Sequence, residues 1–135
     1  MRLKQTSYRK KRAATGLSNW RRGKWSEALA GFWLSLKRYR IIARRKSTPF
    51  GEVDLVAISG KTLVLVEVKF RVTHALALEA VTEQQQQRLI RAADWLQRHY
   101  RHYNCENCRI DLVALSWRQW PTHIVDAFRR DPWQR

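Results

Sequence analysis

Apolar residues recur along the chain with two different periods. Between residues 23 and 39, Trp25, Leu29, Phe32, Trp33 and Leu36 fall three or four places apart, the spacing of a helix that buries one stripe. A short strand is expected at 39–44, then a basic loop at 45–51 in which Pro49 and Gly51 interrupt regular structure. From Glu52 the pattern changes to runs of Val, Leu and Ile. Segments 52–58 and 61–71 flank Ser59-Gly60, which predicts a β-hairpin closed by a two-residue turn at that pair. With side chains alternating at period two, Val64, Val66, Val68 and Phe70 share one face of the second arm, and Leu63, Leu65, Glu67 and Lys69 share the other. After a loop through Thr73 and His74, a helix is expected from about residue 82 to 100, with Leu89, Ala92, Ala93, Leu96 and Tyr100 as its stripe. A strand over 109–115, a turn near 117–121 and a short strand at 123–125 complete the reading. Helices interleaved with strands predict an α/β class, a central mixed β-sheet flanked by helices.

Length changes this picture little: 135 residues suit one domain, taken as 23–128, with a flexible basic arm at 1–22 and a basic tail at 129–135. Charge changes it more. Lys and Arg number 27 against 11 Asp and Glu, a formal net charge of +16 that repels itself in any compact state. A polyanion relieves that repulsion, so nucleic acid is the leading partner class, although an acidic membrane surface satisfies the same physics. No window approaches the ~18 apolar residues of a membrane span, and no secretory signal pattern is seen, so no membrane partner and a cytoplasmic location are expected. Candidate phosphate contacts are Lys10, Lys11, Arg12, Arg21 and Arg22 in the arm and Arg44, Arg45 and Lys46 in the basic loop. Trp20 and Trp25 are the tryptophans best placed to stack on bases. His99, His102, Cys105 and Cys108 are zinc-ligand types at three-residue intervals, but the spacing is not that of a standard finger, so reduced thiols and exposed histidines are expected instead.

The hairpin carries the candidate chemistry. If Ser59-Gly60 is the turn, Ile58 pairs with Lys61, Val56 with Leu63 and Asp54 with Leu65. Glu67 then lies diagonally across from Asp54, about 7–8 Å away between backbone positions and on the same face. Lys69 follows on that face. Two carboxylates directed together from a Val- and Leu-rich sheet repel one another unless one is protonated or a cation lies between them. A divalent ion, Mg²⁺ or Mn²⁺, fits that role, because Mg²⁺ takes one or two protein carboxylates and completes its shell with water and phosphate oxygens. Lys69 would then face the scissile phosphate or the attacking water. The plain alternative is a solvated Asp54 and an exposed Glu67–Lys69 pair.

Gly51-Glu52-Val53-Asp54-Leu55-Val56-Ala57, followed after a gap by Val66-Glu67-Val68-Lys69, resembles the PD-(D/E)XK nuclease signature. The closer resemblance is to the YraN-like family of small bacterial proteins within that superfamily, over residues 23–128 and including Asp126, Ala127 and Phe128. The resemblance implies a restriction-endonuclease-like fold and a metal-dependent endonuclease that hydrolyses phosphodiester bonds, in DNA. Asp54 and Glu67 would be metal ligands, and Glu27, Asp54, Glu67, Lys69 and Gln85 the catalytic set. Glu27 occupies the position of a first-helix glutamate in Holliday-junction-resolvase-related members; a first-turn acid favoured by the helix dipole is the equal alternative. Gln85 stands for a Gln or Lys on the following helix, with Gln86 or Gln87 equally eligible. YraN-like proteins often have Lys there, and Gln85 also completes a Thr82-x-x-Gln capping box. The relatives' habit of dimerising implies a possible homodimer. Two other readings remain: a nucleic-acid-binding module of the same fold that does not cut, and an RNA-associated accessory protein.

Overall fold

The computed structural model describes residues 25–117 and 119–128. The arm, the tail and the candidates Lys10, Lys11, Arg12, Trp20, Arg21 and Arg22 lie outside the described residues. A helix, α1, occupies residues 25–36. It leads into β1 (Arg40–Thr48), β2 (Gly51–Ser59) and β3 (Thr62–Phe70). Two helices follow, α2 (His74–Glu79) and α3 (Glu83–His99), and then β4 (Asn107–Ser116) and β5 (Gln119–Ile124). The strands lie in the order β1-β2-β3-β4-β5. β3 and β4 run parallel and the other neighbours antiparallel, so the sheet is mixed, and α2 and α3 form the crossover that parallel pairing requires.

Each face of the sheet buries its own core. Toward α1, Ala30 and Leu34 pack with Leu55, Ala57, Val64, Val66, Val113 and Leu115. Toward α3, Leu89, Ala92, Ala93 and Leu96 meet Val56, Leu63, Leu65, Ile110 and Leu112. The long apolar runs of β3 and β4 follow from this, since central strands covered on both sides have no solvent face to mark with polar residues.

Three local readings are corrected. The first concerns β1, which continues through Arg45 and Lys46 to Thr48 where a basic loop was expected. It is an edge strand, where charged residues are tolerated and discourage pairing with another chain. Pro49 and Phe50 make the turn, and the Thr48 hydroxyl both donates to the Gly51 carbonyl and accepts from the Phe50 amide. The second concerns the β2–β3 turn, which is Gly60-Lys61 and closes on Ser59↔Thr62. Gly60 has φ +59, the left-handed conformation a tight hairpin needs at its first central position. Val56 therefore pairs with Leu65 instead of Leu63. A slip of two places leaves every β3 residue on its expected face, whereas a slip of one would have inverted them all. Lastly, α2 stands where a loop was read: six residues capped by the Thr73 hydroxyl are too short to show a period.

Asp111 of β4 is fully buried and organises the end of the sheet beside α1. Its Oδ1 accepts from Arg109 Nε at 3.0 Å and the Asp126 amide at 2.9 Å, and His123 Nε2 of β5 lies 2.7 Å from Oδ2. Arg109 also donates to the Tyr39 hydroxyl at 2.6 Å. Burial pushes the Asp111 carboxyl up, but these donors outweigh it and hold the group below its ordinary value. The resulting stability is present above the unfolded carboxylate pKa and is lost as pH falls through the folded one. Asp111→Ala is expected to cost about 3–5 kcal/mol at neutral pH, because Arg109 loses its counter-charge and His123 its hydrogen-bond partner. Urea unfolding should show that deficit narrowing below about pH 4; an unchanged midpoint at neutral pH would contradict this account.

Candidate functional site

The irregularity that builds the site lies where β1 and β2 cross it. Extending the β1–β2 register places Arg45 opposite Asp54, and extending the β2–β3 register places Asp54 opposite Glu67. Neither pair belongs to its ladder. Arg45 has φ +48, a left-handed conformation rare for a residue with a long side chain. Across this step both strands change face. Leu55 packs in the α1-side core and Val53 in the α3-side core. Arg44 likewise approaches Gly31 of α1, whereas Lys46 lies over the Tyr100 ring beyond the end of α3. This change of face re-aims Arg45 and Asp54 without a register shift, since Arg44↔Leu55 and Lys46↔Val53 keep one register and the β1 bulge lies between Ile41 and Ala43.

Asp54 Oδ2 accepts the backbone amide of Val68 at 2.8 Å, so the carboxylate replaces a strand carbonyl at the point where the ladder stops. Burial, and then the field of Glu67, push the Asp54 carboxyl up to about 7, against the Val68 amide and Lys69, which favour the charged form. Glu27 adds to the upward push, so three acids from α1, β2 and β3 share one field with Lys69. Glu67 is 6% exposed. Its Oε1 lies 3.2 Å from Lys69 Nζ, and its Oε2 is buried without a hydrogen-bond partner among the described residues. A buried carboxylate oxygen without a donor carries a full desolvation cost. The structure therefore brings Asp54, Glu67 and Lys69 together, with Glu27 nearby, and the plain reading of solvated strand charges does not describe them.

The remaining candidates are placed elsewhere. Glu27 accepts from Arg45 Nε at 2.6 Å, so Arg45, expected to meet phosphate, pairs with the α1 acid. Gln85 completes the capping box: its amide donates to the Thr82 hydroxyl and its Oε1 accepts from the Thr82 amide. Gln86 donates to the Val81 carbonyl. His99 stacks on Trp95, His102 packs against Tyr103, and Cys105 and Cys108 are free thiols against the α3-side core. Burial pushes the Cys108 thiol up to about 12, far from the thiolate a metal binds.

Two supporting residues escaped the sequence reading. Arg88 of α3 donates to the Glu52 carbonyl at 3.1 Å and fixes the start of β2 two residues before Asp54. Gly51 makes room for it: its φ is +115, and a Cβ there would lie 2.3 Å from Arg88 Nη1. The glycine was a visible signal, but its partner lay 37 residues away on another element. For Arg45 nothing in a run of like charges distinguished it from Arg44.

Among the described residues, no three His, Cys, Asp or Glu side chains gather closely enough to hold a metal by themselves. Asp54 and Glu67 offer two carboxylates, one short of hydrogen bonds and one raised toward neutrality. That donor set suits Mg²⁺ or Mn²⁺, whose other positions go to water and phosphate. Because the folded pKa of Asp54 lies above its unfolded value, its contribution to stability declines as pH rises from about 4 to about 7. Asp54→Asn keeps an oxygen for the Val68 amide while removing the charge. In EDTA it should be more stable than wild type at pH 8 by roughly 2–4 kcal/mol, and by much less at pH 4. Thermal melts across that range check this; a pH-independent difference would mean that Asp54 is not held against its charge.

A family profile, described as Uncharacterised protein family UPF0102, matches residues 26–115. A UPF0102 protein of Parvibaculum lavamentivorans is 46% identical over 121 residues, 90% of this chain and 91% of its own length. One from a Chelativorans species is 46% identical over 110 residues, covering 81% and 88% of the two chains. A third, from Mesorhizobium japonicum, is 47% identical over 111 residues, covering 81% and 87%. The matched segment contains Glu27, Asp54, Glu67 and Lys69 together with every strand from β1 to β3 and nearly all of β4. The chain belongs to the uncharacterised protein family UPF0102, the YraN-like family of the restriction-endonuclease-like superfamily.

Proposed function

We propose that this protein is a metal-dependent endonuclease that hydrolyses phosphodiester bonds in DNA. The observation that carries the reading is the buried, unpartnered Oε2 of Glu67 beside an Asp54 carboxyl raised toward neutrality. A fold does not retain such a pair for stability, since both groups are desolvated and they repel each other. Asp54 and Glu67 would hold Mg²⁺ or Mn²⁺, which when bound supplies positive charge for the phosphate and for an attacking water. The Val68 amide keeps Asp54 aimed into the site. Lys69, next to Glu67, would leave that carboxylate for the phosphate oxygens as substrate enters and steady the charge that develops there. Glu27, held by Arg45, would orient water from the α1 side. The Gln85 side chain closes the α3 cap, so this reading gives it a structural role.

A second reading is a nucleic-acid-binding module of the same fold that does not cut. It is favoured by the Lys69–Glu67 and Arg45–Glu27 ion pairs, which already compensate two of the three acids. Metal dependence separates the two readings. Labelled single-stranded, duplex and branched DNA should be cleaved in Mg²⁺ or Mn²⁺ and left intact in EDTA. Glu67→Ala should lower the rate by more than about 100-fold while retaining binding, since loss of an outer-shell partner alone costs 10–100-fold. Tight binding with no products in any metal would establish the binding module instead.

A further inference from the structure

Three aromatic rings meet where β3 and β4 end under α1, two of them exposed and Phe70 half-buried. Trp25 and Trp117 stack with centroids 6.1 Å apart and planes 22° from parallel. Phe70 stands edge-on to both, 6.3 Å from Trp25 and 4.9 Å from Trp117. The fold brings them together because parallel strands β3 and β4 end side by side, with Phe70 opposite Leu115 and Trp117 just beyond β4, while α1 runs over that end. Despite these mutual contacts Trp25 is 51% exposed and Trp117 69%. Trp117 also borders a hollow of about 330 Å³ lined with Val72, Ser116 and Gln119, a volume within the range of small-ligand pockets.

The position of the rings is as informative as their exposure. Phe70 lies on the α1-side face of β3, opposite to the face of Lys69, and Trp25 opens α1. Arg71, on the far side of Phe70, is exposed and donates from its guanidinium to the Phe70 carbonyl at 2.7 Å, which keeps a cation at the edge of the cluster. Flat apolar rings flanked by cations complement a strand that alternates bases with phosphates. A blunt duplex offers no such match, since its bases are already stacked on one another.

We propose that Trp25, Phe70 and Trp117 form a stacking platform for an unpaired base of DNA whose phosphate lies toward Arg71. If the proposed nuclease activity holds, its substrate is then DNA that carries a single-stranded segment. The binding part stands independently of cleavage. Every base has a π face, so the platform selects for unpaired structure without reading sequence.

The test measures binding by the full-length protein in EDTA, by fluorescence anisotropy, with a labelled oligothymidine and a labelled blunt duplex. Removing Trp25 and Trp117 together (each to Ala) should weaken single-strand binding by about tenfold or more and duplex binding by no more than about twofold. Trp117→Phe, which keeps a ring, should retain most of the affinity. Trp120→Ala is the control: Trp120 is 80% exposed and packs with Trp33, away from this cluster. Melting curves accompany each variant, and Trp117→Ala alone replaces the double variant if that fails to fold. Unchanged single-strand binding, equal losses on both DNAs, or the same loss in Trp120→Ala would each overturn the platform. Because no metal is present, an absence of nuclease activity leaves this result intact, and loss of the platform leaves the Glu67 experiment intact.

Discussion

The repulsion between two carboxylates in the same desolvated space is the constraint from which the other features of this molecule follow. Asp54 and Glu67 stand on adjacent strands, in a sheet covered by helices on both sides. Water therefore cannot screen them as it would at an open face. The surrounding structure mitigates the conflict without removing it. The Val68 amide supports Asp54, and Lys69 lies against one oxygen of Glu67. Glu27 is drawn toward Arg45. What remains is one buried oxygen with no donor and one carboxyl displaced to about 7. A site arranged for stability would have replaced one acid with an amide. Retaining both makes sense where a cation is the intended counter-charge.

That arrangement depends on the change of face at Arg45 and Asp54. In a regular strand Leu55 and Val53 would share a face, and Asp54 would point away from both. The left-handed Arg45 lets β1 and β2 change face together, so Val53 seals the α3-side core and Leu55 the α1-side core while Asp54 turns to the end of the ladder. Arg88 and Gly51 then hold the incoming end of β2. Backbone strain at Arg45 is thus localised at the one step where it re-aims a functional side chain, as strained residues near sites tend to be.

Much of this was legible in the residues. The α/β order and the hairpin follow from periodicity, and the convergence of Asp54, Glu67 and Lys69 follows from their spacing across that hairpin. The face of Glu67 was read correctly although the turn was misplaced by one residue, since the resulting change of partner is even. What could not be read was long-range. Arg45 resembles its basic neighbours until the opposite strand is known, and α2 is too short to declare a period. Gln85 showed both a capping and a catalytic pattern, and local geometry resolves it as a cap. The stacking cluster was half visible: Trp25 stood out, but Phe70 and Trp117 join it only because two parallel strands end level with each other.

The charge surplus that first pointed to nucleic acid is unevenly distributed, which bears on how binding and chemistry divide. Nine of the 27 Lys and Arg residues fall in residues 1–24, with no acid among them, and four more lie at 118, 129, 130 and 135. The described residues hold fourteen, against ten acids, and several of those cations are engaged within the fold: Arg45 with Glu27, Arg109 with Asp111, Lys69 with Glu67, Lys46 over Tyr100. The folded domain is therefore only mildly basic, and its inner cations serve acids and rings before they serve phosphate. Long-range, salt-sensitive attraction to a polyanion must come chiefly from the segments flanking the domain, by counterion release that carries no information about structure. If the proposed function holds, discrimination among nucleic acids falls to the carboxylates with Lys69 and to the exposed rings on the α1 side of β3. On that reading, affinity and selectivity are carried by different parts of one short chain.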